Sequence, residues 1–364
     1  MMSYFDCIGM KKEVSIGDSI IGAGHPVFII AEAGVNHNGD VELAKRMIVK
    51  AKDSGADAIK FQTYSTETVI ATDAPKAQYQ LETTDGSESQ YEMLERLRLT
   101  HEEFDILNSY AKEVGIAFFS TPSDKLDVDF LLDISVPALK IASMDVVNIP
   151  FLEYVGRKRV PVILSTGMAT LGEVEAGLSA LKNAGCSDIL LLHCVTSYPA
   201  EEKDSNLRVM NTLRQAFQIP VGLSDHSQGI IVPIAAVALG AVVVEKHFTL
   251  DTCMSGPDHS ASLNPDSFKD MVKGIRTVES ALGSSVKKPL PVEIQNRLTM
   301  RRSLVAAVDL KAGIVLKREH LLLKRPGDGL GSEFIQFLVG RRLRKFIPQG
   351  CKLTLDDIGS TGIE

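Results

Sequence analysis

The chain is poor in the features that mark three common protein classes. Its five cysteines, Cys7, Cys186, Cys194, Cys253 and Cys351, are an odd number and contain no CxxC pair. That fits a reducing cytosol better than a disulfide framework. There is no basic excess: 39 Lys and Arg face 46 Asp and Glu, a net charge of -7. A general nucleic-acid or membrane-surface binder is therefore not expected, although a local cluster of Lys and His could still hold an anionic substrate. The first residues lack an apolar segment after a basic start, so no signal peptide is expected. The longest apolar stretch, Ile230 to Val244, is too short for a membrane span and is broken by Pro233 and Gly240. It reads as a buried helix running into a strand, and the chain as a cytoplasmic protein with neither a nucleic acid nor a membrane as partner.

What is present is ordinary globular material, 364 residues that are 45% hydrophobic and 23% charged. The length suggests one large domain and one small one. From residue 27 to about 283, short apolar runs alternate with longer amphipathic ones. The strand candidates are VFIIAEAG (27–34), AIKFQTY (58–64), IAFFSTP (116–122), ALKIAS (138–143), PVILSTG (161–167), DILLLHCVTSYP (188–199), PVGLSDH (220–226) and AVVVEKHFT (241–249). Each is rich in Val, Ile, Leu or Phe, as strands buried on both faces should be. Thr100-His101-Glu102-Glu103 fits a capping box that opens a helix. Eight strands alternating with helices predict a (β/α)8 TIM barrel, with a doubly wound open sheet as the alternative. In seven of the eight strands polar residues gather at the C-terminal end, where a barrel carries its active site, which favours the barrel. In the third, Ser120 and Thr121 are less distinctive.

The texture changes after residue 283. We expect a barrel domain over 1–283 with a short N-terminal extension (1–26), a linker over 284–299, and a small β-rich domain over 300–364. The last block holds a weak repeat, in which Gly313, Leu316 and Leu321 have the spacing of Gly350, Leu353 and Ile358. Two short strands around a Gly turn, repeated, suggest internal pseudo-symmetry.

Two constellations at the strand ends carry chemistry. His226 and His247 end adjacent strands, beside Asp225 and Glu245, and two neutral imidazoles with open positions suit a divalent metal. Either could instead be a hydrogen-bonded core histidine. Lys60, with Gln62 on the same side of its strand, and Lys140 are costly inside a barrel unless they meet an anion. With Ser143, Ser165, Thr166 and Ser224 nearby, they read as a phosphate or carboxylate cradle. The alternative is a structural ion pair such as Lys60 with Glu32. Of the acids near the mouth, Glu32, Asp225, Glu245 and Asp258, one could act as general acid or base.

The segments IIAEAGVNHNG (29–39), IKFQTY (59–64), KIAS (140–143), STGM (165–168), HCVTSYP (193–199), GLSDH (222–226), EKHFTLD (245–251) and GPDHSAS (256–262) together resemble the sialic acid synthase family. KRPGDGL (324–330) resembles that family's C-terminal antifreeze-like (SAF) domain. The resemblance implies an enzyme that condenses phosphoenolpyruvate with an N-acylated amino sugar and releases phosphate. It implies a divalent metal, Mn²⁺ or Mg²⁺, on His226 and His247, and a catalytic role for these two and Glu32. Lys60, Lys140, Ser143, Ser165 and Ser224 would hold phosphoenolpyruvate. Gln62, Thr196, Tyr198, Glu245 and Asp258 would line the sugar region, and Arg325 would reach the sugar from the tail of the other subunit of a domain-swapped homodimer. N-acetylmannosamine, giving N-acetylneuraminate, is the first reading of the sugar. Thr196 stands where many neuraminate synthases carry Asn, so the alternatives are a diacetamido sugar, giving N,N'-diacetyllegionaminate, another acylated amino sugar, or the 6-phosphate of N-acetylmannosamine. Rival classes are a Schiff-base aldolase using Lys60, Lys140 or Lys246, and a sugar- or ice-binding protein acting through its tail.

Overall fold

The computed structural model describes residues 11–361, so Cys7 and the rest of the first ten residues lie outside the described part of the chain. The eight strands are Phe28–Gly34, Ala58–Thr63, Ala117–Pro122, Leu139–Ile141, Val162–Ser165, Ile189–Cys194, Val221–Asp225 and Val243–His247. All neighbouring pairs are parallel, and the eighth strand pairs with both the first and the seventh. The third and fourth strands lie side by side and complete the circle. This is the (β/α)8 barrel. A two-strand hairpin, Glu13–Ile16 with Ser19–Gly22, precedes it.

The helices follow from local chemistry. Thr100 caps His101–Val114, and Glu103 reaches back to the Thr100 amide at 2.7 Å, so two end donors are satisfied reciprocally. Asp40 caps Val41–Asp53 and Thr170 caps Leu171–Asn183 in the same spirit. Their buried faces pack on the strands in one continuous apolar core. Every strand is shorter than the apolar run that announces it in sequence. The fourth stops at Ile141, the sixth at Cys194 and the seventh at Asp225, so Ser143 opens a 3₁₀ turn, Ser143–Val147, and Thr196, Tyr198 and His226 sit on the loops beyond. Ile230–Val244 is a helix, Ile231–Ala238, leading into the eighth strand, but Ile231 is exposed rather than buried. Among the described residues no helix is long and apolar enough to cross a membrane, and all four described cysteines are free.

Residues up to Gly283 form one compact unit and those from Ser284 a second. The stretch read as a linker contains a helix, Pro291–Met300. In the second unit the repeat is visible in space. Leu316, Leu321, Leu353 and Ile358 share one small core, and Gly313 and Gly350 both turn at φ 81°. Each half runs through a single 3₁₀ turn, Arg318–His320 or Leu355–Asp357, into a strand of an antiparallel pair.

Strand alternation corrects one expectation. Asp225 reads in sequence as a mouth acid, but it and Lys246 are register partners that point out of the barrel interior. Asp225 meets the fully buried Lys246 ammonium at 2.5 Å and accepts the Ser227 amide and hydroxyl. Lys246 also donates to the Ser227 carbonyl. Asp225→Ala should therefore strand a buried cation and cost about 3–5 kcal/mol in urea unfolding, whereas Asp225→Ala with Lys246→Met should recover most of that loss. Equal losses in the single and double variants would show that the pair is not what stabilises this layer.

Candidate active site

The strand register assembles the site. Glu32 lies beside Lys60 on one flank and His247 on the other, and Glu245 lies beside Ser224. Side chains in register on parallel strands share a face, so these groups converge inside the mouth. They line a cavity of about 300 Å³ with Gln62, Lys140, Ser143, Ser165, Thr196, Tyr198, His226 and Asp258. The barrel residues that the resemblance assigned to metal, phosphoenolpyruvate or sugar thus all line one cavity. Thr166 is buried but does not line the cavity. Arg325 is exposed in the second unit.

The floor is a buried ion network. Lys60 Nζ is 2.8 Å from Glu32 and 3.9 Å from Glu245, and Lys140 Nζ is 3.9 Å from Glu245. Lys60 also donates to Thr121 Oγ1 at 2.9 Å, so the third strand, indistinct in sequence, supplies a cavity residue. Gln62 donates to Glu32 at 3.1 Å and Ser224 to Glu245 at 2.8 Å. The Lys60–Glu32 ion pair, read from sequence as the alternative to an anion cradle, is present, and Lys140 and Glu245 join it in one cluster. Burial pushes Glu32 up to about 6 against the pull of Lys60. Burial works the same way on Glu245, but Lys140 and Lys60 overcome it and hold that carboxyl below its usual range. Burial lowers Lys140, whereas for Lys60 the two glutamates outweigh burial and raise it.

Beside the floor stand the histidines, with ring centroids 5.3 Å apart. His226 Nδ1 donates to the Val195 carbonyl at 2.7 Å, which turns Nε2 into the free acceptor. Burial drives His247 well below its ordinary value, and its Nδ1 has no hydrogen-bond partner. A neutral ring and a ring oriented by a backbone carbonyl are the donors a divalent metal asks for. Among the described residues no third His, Cys, Asp or Glu joins them to make a metal-holding group. The pair fits an ion that keeps positions open for water or a substrate oxygen.

Other lining residues escape the sequence reading. Tyr79, Gln80, Met93 and Leu94 come from the excursion between the second strand and its helix, and Met144 and Met168 from other loops. Cys194 lies in the HCVTSYP motif, where the sequence reading treats it only as a thiol. Its sulfur is 3.9 Å from His226 Nδ1.

The NeuB family pattern matches residues 47–287, and the SAF domain pattern matches residues 301–359. The chain belongs to the NeuB family. It is 44% identical over 341 residues to the N,N'-diacetyllegionaminic acid synthase of Legionella pneumophila, covering 93% of this chain and 96% of that one. It is 46% identical over 315 residues to the Campylobacter jejuni enzyme of the same name, covering 86% and 94%. The solved N-acetylneuraminic acid synthetase of Leptospira borgpetersenii superposes with a TM-score of 0.71 at 38% identity, covering 79% of this chain and 95% of that one. The chain is therefore an enzyme of the phosphoenolpyruvate-dependent condensing type, a nonulosonate synthase, as the sequence resemblance implied.

Asp258 offers a test of the site's electrostatics. It is buried, its Oδ1 has no partner, and desolvation raises its carboxyl to about 6. A folded-state value above the unfolded one means the native state binds the proton more tightly. Stability is then lost as pH rises from about 4 to 6, and the full cost, roughly 2–3 kcal/mol, persists above that. In metal-free protein, Asp258→Asn should thus raise the unfolding free energy at pH 8 by about that amount and change it little near pH 4. A variant that is equally or less stable at pH 8 would contradict the buried-carboxylate account.

Proposed function

We propose that this enzyme condenses phosphoenolpyruvate with a diacetamido sugar, giving N,N'-diacetyllegionaminic acid and phosphate. The observation that carries the choice is the 44–46% identity, over most of both chains, to two synthases of that name. N-acetylmannosamine, the first reading from sequence, yields to it. Thr196 on the cavity rim, in place of Asn, agrees with a sugar other than N-acetylmannosamine.

The side chains divide the work. Lys60 and Lys140, with Ser143, Ser165 and Ser224, hold the phosphate and carboxylate of phosphoenolpyruvate. Ser165 suits this, since its buried hydroxyl has no protein partner. Gly167 donates to Ser143 Oγ at 2.9 Å, which fixes that hydroxyl at the cavity edge. Glu32, whose carboxyl burial raises to about 6, can accept or return a proton as water adds. Gln62, Thr196, Tyr198, Glu245 and Asp258 face the sugar. His226 and His247 would hold Mn²⁺ or Mg²⁺, which when bound supplies a Lewis acid for the sugar's aldehyde. Burial of the floor keeps bulk water from the reacting carbons.

Phosphate release from phosphoenolpyruvate tests this with a panel of sugars. Release should be fastest with the diacetamido sugar, should fall to background in EDTA, and should return with Mn²⁺. Equal rates with N-acetylmannosamine would overturn the choice of sugar, and full activity in EDTA the metal.

We also infer a homodimer in which Arg325 serves the partner's site. The tail of about 80 residues has its own small core, and an Arg fork suits an acyl carbonyl. Mixing His226→Ala with Arg325→Ala under subunit exchange should restore activity above either parent, because one site per mixed dimer is intact. No rise despite demonstrated exchange would exclude supply in trans.

A further inference from the structure

The excursion after the second strand is more than a connection. Between Thr63 and the helix at His101 it forms three short helices, Thr66–Val69, Gln78–Thr83 and Gln90–Leu97. Loops of this length in compact domains are commonly binding loops or lids. Its base has a core of its own, where Met93 and Leu97 pack with Val35 and Tyr64. Tyr64 donates to the Leu94 carbonyl at 3.0 Å and Thr66 to Glu95 at 2.6 Å. The Lys76 ammonium knots the middle by donating to Thr84, the Asp85 carbonyl and Glu88. The excursion is thus a built unit that can present a side chain reproducibly.

The side chain it presents is Tyr79. Its ring lies 5.1 Å from that of Tyr198, tilted by 30°, and Tyr198 in turn lies 4.1 Å from the His226 ring. An aromatic wall therefore runs from the histidine pair, where the sugar's aldehyde would react, to the lid. Thr83 continues the closure by donating to the Pro257 carbonyl at 3.3 Å, next to Asp258. The other lid residues on the cavity are Gln80, Met93 and Leu94, so this side carries no Lys or Arg. A phosphorylated sugar finds no cation there. An acetamido group, neutral with one methyl, matches a wall of stacked aromatic rings and a methionine.

We propose that Tyr79 is a specificity-determining residue, which with Tyr198 clamps the second acetamido group of the sugar. This rests on the diacetamido reading above and names the part of the site that enforces it. The carbon bearing that group is the more remote from the aldehyde, and the lid end of the wall is the more remote from the histidines.

The test compares wild type, Tyr79→Phe, Tyr79→Leu and Tyr79→Ala. For each, kcat/KM is measured for the diacetamido sugar and for N-acetylmannosamine, with the KM for phosphoenolpyruvate and the unfolding midpoint. We expect Tyr79→Ala and Tyr79→Leu to lose about tenfold with the diacetamido sugar and much less with N-acetylmannosamine. Tyr79→Phe should stay near wild type, and the phosphoenolpyruvate KM should not move. A parallel fall with both sugars, a shift in the phosphoenolpyruvate KM or no change at all would each overturn the clamp. If both truncations lower the unfolding midpoint, near-wild-type selectivity in Tyr79→Phe together with a sugar-independent loss in Tyr79→Leu would also overturn it. Wild type alone reports on the parent reading. An enzyme that prefers N-acetylmannosamine removes that reading and the clamp with it, whereas a diacetamido preference that survives Tyr79→Ala removes only the clamp.

Discussion

The buried quartet of Lys60, Glu32, Glu245 and Lys140 is the constraint around which the barrel mouth is organised. Four ionisable groups, each nearly inaccessible to solvent, are held in alternating sign. Taking such groups out of water costs several kcal/mol apiece unless each meets an opposite charge in good geometry. The arrangement is dictated by strand register, with Glu32 beside Lys60 on adjacent strands. A slip by one residue would turn every one of these side chains to the other face. Folding the barrel in register and pairing its buried lysines are therefore the same event.

The quartet also explains how two lysines can stand inside a barrel. With two cations and two carboxylates the cluster is close to neutral, so it can be buried. The carboxylates are not equal, however. Burial lifts Glu32 to about 6, while the lysines hold Glu245 low. Groups pushed apart in this way can take different roles, one poised to exchange a proton and one remaining a fixed charge. An incoming phosphate and carboxylate would compete with Glu32 for Lys60, and the carboxyl easier to protonate is the one placed to yield.

Much of this is legible in the sequence. Strands buried on both faces announce themselves by apolar runs, and a polar residue ending such a run is conspicuous because it has no structural reason to be there. Glu32, Lys60, Lys140, His226 and His247 stand out on that ground, and the cavity gathers all five. Facing is less legible where two polar residues are adjacent. Asp225 and Lys246 look like mouth residues in sequence, and only alternation along the strands turns them outward into a structural pair. Thr121 is inconspicuous because a threonine near a strand end is common, and its meaning lies in the ammonium on the neighbouring strand. The excursion is illegible for a different reason. Its helices are a turn or two long, too short for a periodic pattern, and its core depends on Val35, which lies just past the first strand.

That difference in legibility reflects a difference in how the two halves of the cavity are built. The floor belongs to the sheet, where moving one side chain disturbs two neighbouring strands and a charge network. The roof belongs to an excursion with its own tied ammonium, packed on Val35 at its base and meeting the far side of the mouth through a ring stack and a hydrogen bond near Asp258. Substitutions at the roof's tip can change what the cavity accepts without altering the register of the barrel or the pairing of its lysines. A mouth divided in this way keeps its paired charges on the rigid part and leaves the excursion free to vary.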